Sequence, residues 1–427
     1  MPQRSCVMLY ARIVLGLAVE GPFDYIVGTE LTNKIKPGAR AWVDFRNKKR
    51  LGYVAGLAQK TNIKKLKAIS ELLDDSPVLD TNMLLLTKRL SEYYCCSWGE
   101  AIEAALPQAL RKGKKILQEA APFQDPKGQA KDSAGEVTLL HDLDGRKRWD
   151  SYINEIKNVL ADNKSAIVIL PDKNSLKKAL DTISAKLEYP VSILYRIKQG
   201  ELEEWLKIKK EKCSIVLAMR SGIFAPANNL GLIIIDEEEN SVYKQEQSPH
   251  YHVREAAFMR SQIEGSRLIL GSSSPSLESF YLADKNKIRY NLIPRSTVFP
   301  EIKIVDMKAT YTMRKRNTIF QRPTEDAILA ALDSKGKALV FLNRKGFALS
   351  SSCNNCREPL KCPRCNINLV YHFHKNMLTC HYCNFKMELP KICPNCNSGY
   401  IRFSGIGTEK VESELSRLFP QGRIGRD

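Results

Sequence analysis

The stretch Leu232-Ile233-Ile234-Ile235-Asp236-Glu237-Glu238 decides the fold class of this chain of 427 residues. Its four consecutive aliphatic residues predict a strand buried on both faces, as in a parallel sheet that helices cover on both sides. Comparable apolar runs, separated by segments of helical periodicity, occur at Ala166–Leu170, Ser214–Ala218 and Leu268–Leu270. The pattern therefore predicts a parallel α/β lobe over residues 136–290.

The regions on both sides of this lobe differ from it in composition. Residues 1–108 combine strand patterns with turn signals, among them the basic stretch Arg46-Asn47-Lys48-Lys49-Arg50, and predict a small β-rich domain. Residues 109–135 are rich in Lys, Gln, Pro, Gly and Asp and predict a linker. Beyond the lobe, Ala338–Leu342 predicts the first strand of a second α/β unit. We divide that part of the chain into a start at 291–348, a cysteine-rich module at 349–400 and a remainder at 401–427.

The charge balance indicates a polyanionic partner. Lys plus Arg number 66 and Asp plus Glu 47, for a formal net charge of +19. On a globular chain such an excess points most often to nucleic acid, although a merely basic protein is the alternative. The hydrophobic fraction of 43% excludes a mainly disordered or fibrous chain. The sequence shows no apolar run of membrane-spanning length and no signal peptide, so we expect a cytoplasmic protein with reduced cysteines.

Four C-x-x-C pairs between Cys353 and Cys396 are the strongest chemical signal in the sequence. Two such pairs supply the four thiolates of one tetrahedral Zn²⁺ site, so eight cysteines fit two structural sites. The segment between Cys365 and Cys380 is long enough for the hairpin of a zinc ribbon, which favours a nested pairing; sequential pairing is the alternative. The nested pairing gives zinc site 1, with Cys353, Cys356, Cys393 and Cys396, and zinc site 2, with Cys362, Cys365, Cys380 and Cys383.

Asp236 and Glu237 have the placement of a Walker B element. An Asp at the end of a buried strand holds Mg²⁺, and the following Glu polarises the attacking water. Any buried strand followed by an acidic turn gives the same pattern, so a phosphate-binding G-x-x-x-x-G-K-[ST] loop is needed as a partner. Gly-Lys occurs only at Gly113 and Gly336, and neither pair is followed by Ser or Thr. The sequence therefore contains no intact Walker A loop.

Several segments together resemble the PriA family of bacterial replication-restart helicases, over nearly the whole chain. The DNA-end-binding domain of that family is matched by Phe23-Asp24-Tyr25 and Lys36-Pro37-Gly38. Further segments resemble the helicase motifs and the zinc region of the family. They are Met219–Pro226, Asp236–Glu239, Tyr243–Gln245, His250–Arg254, Leu270–Ser279, Phe341–Phe347, the eight cysteines and Gly405–Glu409.

The resemblance implies a multidomain α/β architecture. A β-rich N-terminal domain would bind DNA 3′ ends, a RecA-like helicase lobe would follow, and a partial second lobe would carry the insert with two zinc ions, nested as above. Asp24 would accept a hydrogen bond from a 3′-hydroxyl, whereas the structural alternative packs Phe23 and Tyr25 into the small core. The resemblance gives as candidate nucleic-acid contacts Phe23, Asp24, Tyr25, Arg220, Lys244 and Arg344.

The sequence departs from the family at the nucleotide site. Where Walker A is expected, Gly145 is the one glycine left, Arg148 stands at the Lys position and Trp149 replaces the Mg²⁺-binding Thr. Arg seldom replaces the compact P-loop Lys. Asp142 and Asp144 would repel phosphate oxygens. The winged-helix domain and the later motifs of the second lobe are also missing, and a RecA-type motor hydrolyses ATP between two lobes. We therefore expect little or no ATP hydrolysis.

Three functional hypotheses follow. The first is a degenerate, C-terminally truncated PriA-like protein of the replication-restart primosome, which binds stalled forks or 3′-ended branched DNA, docks partner replication proteins and lacks helicase activity. The alternative is an active ATP-dependent 3′-to-5′ DNA helicase. The third is a zinc-ribbon scaffold with no role on DNA. The expected cofactors are two Zn²⁺, with binding of ATP and Mg²⁺ left open, and the expected location is the bacterial cytoplasm, in association with the nucleoid.

Overall fold

The computed structural model describes residues 8–116, 135–145, 147–195, 200–210, 215–296, 298–306, 319–342, 350–372, 376–399, 401–404 and 408–425. The chain divides into two compact units, residues 1–298 and 299–427, which are described separately.

The first unit begins with a five-stranded antiparallel sheet in the order β2-β1-β4-β3-β5. Along β1 the exposed Arg12 lies between the fully buried Ala11 and Ile13, the alternation of a strand with one face on a core. A bridge between Ile26 and Ala68 joins the end of β2 to the residue just before β5, so the two edges of the sheet approach each other. The strands are β1 (Tyr10–Leu15), β2 (Phe23–Ile26), β3 (Arg40–Phe45), β4 (Lys48–Ala58) and β5 (Ile69–Leu72).

Three helices follow this sheet: α1 (Thr81–Tyr93), α2 (Trp98–Ala105) and α3 (Gln108–Arg111). The side chain of Asp80 caps α1 by accepting a hydrogen bond from the amide of Met83 at 2.6 Å. Ser97 and Glu100 form a capping box at the start of α2. A Cβ at Gly99 would lie 1.6 Å from the carbonyl oxygen of Leu15, so only glycine lets α2 approach β1 this closely.

A seven-stranded, entirely parallel sheet forms the second part of the first unit, in the order β12-β6-β11-β10-β7-β9-β8. All residues of β10 are buried, and this strand occupies the centre of the sheet. The prediction of a parallel α/β lobe is confirmed. The strands are β6 (Val137–Asp142), β7 (Ser165–Ile169), β8 (Val191–Leu194), β9 (Ile215–Ala218), β10 (Leu230–Asp236), β11 (Arg267–Ser272) and β12 (Arg289–Ile293).

Helices cover both faces of this sheet, and their apolar residues form two separate core clusters. Short 3₁₀ helices at Arg220–Phe224 and Ser241–Tyr243 lie in the connections around β10. The helices are α4 (Arg148–Ala161), α5 (Lys173–Lys186), α6 (Glu201–Lys210), α7 (Val253–Glu264) and α8 (Leu277–Asp284). No helix of the described residues is long and apolar enough to cross a membrane.

The β-rich domain is docked on the lobe through helices and buried polar contacts. Helix α1 packs against α7, and one core cluster contains residues of both parts, such as Leu90 and Ile263. Lys209 of α6 donates hydrogen bonds to the carbonyl oxygens of Pro77 and Val78, at 2.6 and 2.9 Å. The two parts therefore share apolar surface that neither would bury alone.

The second unit contains the cysteine-rich module. Strands β13 (Ser350–Cys353) and β17 (Ile401–Ser404) pair antiparallel and bracket it. Inside it, β14 (Val370–His372), β15 (Met377–Thr379) and β16 (Lys386–Glu388) form a three-stranded sheet. Two helices complete the described elements of this unit: Arg322–Asp333 and Thr408–Leu418.

The strand expected at Ala338–Leu342 is not formed. These residues have no regular secondary structure, and Leu339 and Phe341 are 94% and 84% exposed. An apolar run forms a buried parallel strand only where neighbouring strands pair with its backbone. The described residues of the second unit contain no parallel sheet to provide such neighbours. This part of the sequence-based expectation is therefore wrong for the described residues.

Candidate metal centres and remnant nucleotide site

All four C-x-x-C pairs adopt one backbone geometry. In the pair Cys362/Cys365, the amide of Asn366 donates to the carbonyl of Cys362 at 2.9 Å, and the amide of Cys362 donates to Ile367 at 2.8 Å. The residue after each second cysteine has a left-handed φ of 56° to 60°, a conformation that Asn tolerates better than most residues. These four residues are Arg357, Asn366, Asn384 and Asn397, so three of them are Asn.

The structure brings the eight cysteines into two groups of four, in the nested arrangement. Within each group the Sγ atoms all lie within 4.8 Å of one another, with closest separations of 3.5 Å between Cys353 and Cys396 and 3.3 Å between Cys365 and Cys380. Four sulfurs placed tetrahedrally at about 2.3 Å from Zn²⁺ would be roughly 3.8 Å apart. The donor sets therefore fit zinc in number, atom type and spacing.

Local hydrogen bonds favour the thiolate form that metal binding requires at some of these cysteines, whereas burial raises the pKa of Cys365 to about 12. The backbone amide of Cys383 holds the pKa of Cys380 down to about 6, and the amide of Ser398 does the same for Cys396. His372 and His381 are not members of either group, because their Nε2 atoms lie 3.1 Å from each other instead. The two groups are thus complete with cysteine alone.

The loops that follow β6, β10 and β11 meet at the carboxyl edge of the parallel sheet, where such folds bind nucleotides. Arg148, the first residue of α4, points its guanidinium at Asp236, the last residue of β10. Its Nε lies 2.5 Å from Oδ1 of Asp236 and its Nη2 lies 3.4 Å from Oδ2. The two side chains are 7% and 5% exposed. The positions that the sequence assigned to Walker A and Walker B are therefore joined by a buried ion pair.

Further hydrogen bonds complete the pairing of these charges. Nη1 of Arg148 donates to the carbonyl of Gly145 at 3.1 Å and to Oγ of Ser273 at 3.0 Å. The hydroxyl of Tyr152 donates to Asp236 at 3.0 Å. Arg148 thus links the loop after β6 to β10 and to the loop after β11. The roles of Tyr152 and Ser273 could not be predicted from local sequence, because only the fold brings these residues to Asp236 and Arg148.

The carboxylate of Asp142 accepts hydrogen bonds from two backbone amides at and just before the start of α4. These amides are those of Asp144 at 3.0 Å and Arg148 at 2.8 Å, and the carboxylate is buried. In P-loops, amides at this helix start bind phosphate oxygens. Asp144 is held in turn by the amide and hydroxyl of Ser296, which lower its pKa to about 2, the hydroxyl having the larger effect.

The two glutamates after Asp236 have different surroundings. Glu237 is 41% exposed, and its Oε1 lies 3.9 Å from Nη2 of Arg148. Glu238 is fully buried and accepts hydrogen bonds from Nη1 of Arg254 at 3.0 Å, the amide of Ser276 at 2.7 Å and the hydroxyl of Ser279 at 2.9 Å. Glu238 therefore fixes the loop after β11 to the acidic turn.

The candidate nucleic-acid residues of the β-rich domain are divided between core and surface. Tyr25 is only 4% exposed and donates to the carbonyl of Asp44 at 3.1 Å, so its ring belongs to the core. Phe23 is half-buried, with its ring centroid 4.9 Å from that of Phe45. Asp24 is half-buried and accepts a hydrogen bond from the hydroxyl of Thr61 at 2.6 Å. Phe23 and Asp24 are the members of this segment that a ligand can reach.

Two further candidates lie side by side near the junction of the β-rich domain and the lobe. Nη1 of Arg220 donates to the carbonyls of Val242 and Lys244, both at 2.8 Å. The ammonium of the exposed Lys244 lies 5.0 Å from the ring centroid of Tyr94. Arg344 lies outside the described residues.

The described residues thus combine a β-rich domain, a parallel α/β lobe docked against it and, further along the chain, two groups of four cysteines. The family model of the 3′DNA-binding domain (3′BD) of PriA matches residues 12–107. The model of the PriA DNA helicase Cys-rich region (CRR) domain matches residues 362–387. Two separate parts of this chain therefore match domains of the PriA family.

The relatives agree with the two family models. The replication restart protein PriA of Bacillus subtilis is 34% identical over 316 residues, which cover 72% of this chain and 39% of that protein. That of Treponema pallidum is 25% identical over 98% of this chain and 66% of its own length. The chain thus spans between about two fifths and two thirds of these relatives. Among solved structures, the helicase domain of Pyrococcus furiosus Hef is 16% identical, with a TM-score of 0.28 over 38% of this chain and 36% of its own, too low to add to the argument.

Proposed function

We propose that this chain is a DNA-binding protein of replication restart that recognises stalled-fork or 3′-ended branched DNA, docks partner replication proteins and has no helicase activity of its own. The match of residues 12–107 to a 3′ DNA-binding domain supports the DNA half of the proposal. The ion pair between Arg148 and Asp236 supports the other half of the proposal, the lack of helicase activity. Such a protein would work in the bacterial cytoplasm, on the nucleoid.

In the buried ion pair, each of the two residues is kept from the role that nucleotide hydrolysis would require of it. A Walker B Asp must be free to hold Mg²⁺, and a Walker A cation must be free to meet the terminal phosphates. Breaking a buried ion pair costs about 3–5 kcal/mol, which nucleotide binding would first have to supply. Asp142 adds a negative charge where phosphate oxygens would approach. We infer that Asp236 and Glu237 are structural here, although their positions match catalytic ones.

The two cysteine groups would each hold one Zn²⁺, with site 1 on the outer pairs and site 2 on the inner pairs. A Zn²⁺ ion with four thiolate ligands has no open position and supplies cross-linking rather than chemistry. The cysteines would then fix the module as a rigid surface. Its exposed Tyr382, on the turn between Cys380 and Cys383, is available to a partner protein.

The 3′ end of a DNA strand would bind at Asp24. The carboxylate that now accepts from Thr61 has the chemistry to accept from a 3′-hydroxyl, and the half-buried ring of Phe23 offers apolar surface nearby in the same strand. A 3′-phosphate would place negative charge beside Asp24 and be disfavoured. This difference gives the proposal a direct test.

The test measures ATP hydrolysis and fork binding on the same zinc-loaded protein. Forked DNA carries either a 3′-hydroxyl or a 3′-phosphate at the junction. We expect binding that prefers the hydroxyl and no hydrolysis with or without DNA. Asp24→Asn should weaken this preference, while the exposed Asp150→Asn should leave it unchanged. DNA-stimulated hydrolysis that disappears in Asp236→Ala would instead establish the active helicase, and equal binding of all DNA forms would refute end recognition.

A further inference from the structure

The connection between β3 and β4 is a basic hairpin, which we define as residues Arg46–Arg50. Cross-strand pairing of Phe45 with Lys48 leaves Arg46 and Asn47 as a two-residue loop. All five residues of the hairpin are exposed, and four of them are cationic. The sequence alone marked this stretch only as a turn. The structure shows how its charges are divided between two faces.

The positive charge on one face of the hairpin is largely balanced by carboxylates of the protein. Lys49 forms an ion pair with Glu71 at 3.6 Å, and its ammonium lies 5.2 Å from the ring of Trp42. On the same face, Asp44 is paired with Lys67 at 2.7 Å. Glu71 also pairs with Lys115 at 2.7 Å, so three lysines share two carboxylates and this face keeps only a small net positive charge.

The other face holds cations that form no ion pair with any described residue. Strand alternation places Lys48 and Arg50 on the side of Phe45, and the guanidinium of Arg46 lies 5.4 Å from the ring of Phe45. In the part of the chain that the structure describes, no ion pair is recorded for Arg46, Lys48 or Arg50. Phe45 in turn contacts Phe23 of β2. Uncompensated positive charge is therefore concentrated beside Phe23 of β2, whereas Asp24, the next residue of that strand, faces the opposite side of the sheet.

The backbone of the loop supports a role for the charge of Arg46. Arg46 and Asn47 have φ values of 49° and 59°, the conformation in which two-residue hairpin loops favour Asn and Gly. Arg is an unfavourable residue at such a position. An arginine in a left-handed conformation at an exposed tip agrees with a function for its side chain.

We propose that the face of the basic hairpin formed by Arg46, Lys48 and Arg50 binds the phosphodiester backbone of duplex DNA next to the 3′ end. This inference rests on the proposed DNA-binding function and adds a contact separate from the end itself. The cations neutralise phosphates without reading bases, so the contact raises affinity and salt dependence but does not choose the sequence.

The test compares two double variants that remove the same charge from opposite faces. Lys48→Gln with Arg50→Gln removes two unpaired cations, and Lys49→Gln with Lys67→Gln removes two paired ones. Binding to a forked duplex with a 3′-hydroxyl is measured over a range of salt concentrations. The first double variant should lower the slope of log affinity against log salt by about 2 and the affinity at least roughly tenfold. The second should change the slope by less than about 1.

A single variant serves as a control for loss of affinity that is caused by misfolding. Arg46→Asn relaxes the left-handed position, so we expect an unchanged or slightly raised midpoint of thermal unfolding together with a slope lower by about 1. The preference for a 3′-hydroxyl over a 3′-phosphate should persist in all three variants. Equal losses in the two double variants, an unchanged slope in the first, or loss of the end preference would overturn the proposal. Failure of the unmodified protein to bind DNA would instead overturn the proposed function.

Discussion

The remnant nucleotide site and the cysteine groups each bring reactive side chains together, but the two regions differ in what those side chains interact with. At the sheet edge each charge has a partner within the protein: Arg148 has Asp236, and Asp142 has two backbone amides. In the cysteine groups, four sulfurs converge on one point and pair mainly with one another. A ligand site is therefore indicated by like donors that converge on one point with no cation among them, rather than by residue types in a familiar order.

The largest effect is expected at the cysteines. Cys380→Ser removes one of four ligands, and structural zinc contributes about 10–16 kcal/mol of apparent binding free energy at pH 7. We expect the zinc content to fall from two ions per chain to one, with loss of structure around site 2. Cys96→Ser, outside both groups, should leave the zinc content unchanged. Metal analysis after gel filtration measures both, and two zinc ions in Cys380→Ser would contradict the assignment of site 2.

The next effect concerns the buried ion pair. Arg148→Met leaves Asp236 buried without its cation and should lower the free energy of unfolding by about 3–5 kcal/mol. Arg267→Met breaks a half-exposed pair with Glu155 and should cost no more than about 1 kcal/mol. Denaturant unfolding compares the two variants. Equal costs would show that Arg148 is not held as tightly as its contacts indicate.

A smaller effect is expected at acid pH. Because folding lowers the pKa of Asp144 to about 2, its stabilising effect is fully present above about pH 4 and is lost as the pH falls towards 2. Asp144→Asn should therefore be less stable than the unmodified protein at pH 5, and the difference should shrink between pH 4 and pH 2. Thermal unfolding at several pH values tests this, and a difference that is constant with pH would contradict it.

The smallest effect is a predicted absence of change. A ligand present at a hundred times its dissociation constant stabilises a protein by about 2.7 kcal/mol. Because Arg148 and Asp142 occupy the groups that would bind nucleotide, millimolar ATP with Mg²⁺ should shift the midpoint of thermal unfolding by less than about 1 °C. A shift of several degrees would show that nucleotide displaces the ion pair, and would reverse the comparison between the two regions.

The sequence predicted those features that depend on neighbouring residues. The continuous apolar run in β10 requires burial on both faces, and the spacing of the cysteines favours nested pairs. The ion pair was not predictable, because Arg148 and Asp236 lie 88 positions apart and only the parallel order of β6, β11 and β10 brings them together. The burial of Tyr25 is likewise a property of the folded sheet. The expectation at Ala338–Leu342 was wrong because apolar character does not supply neighbouring strands.

The antiparallel pairing of Ser350–Cys353 with Ile401–Ser404 brings the two ends of the cysteine-rich module side by side. A segment whose first and last strands are adjacent interrupts the rest of the chain at a single place. The strand pair therefore delimits the module as one continuous insertion within the second unit.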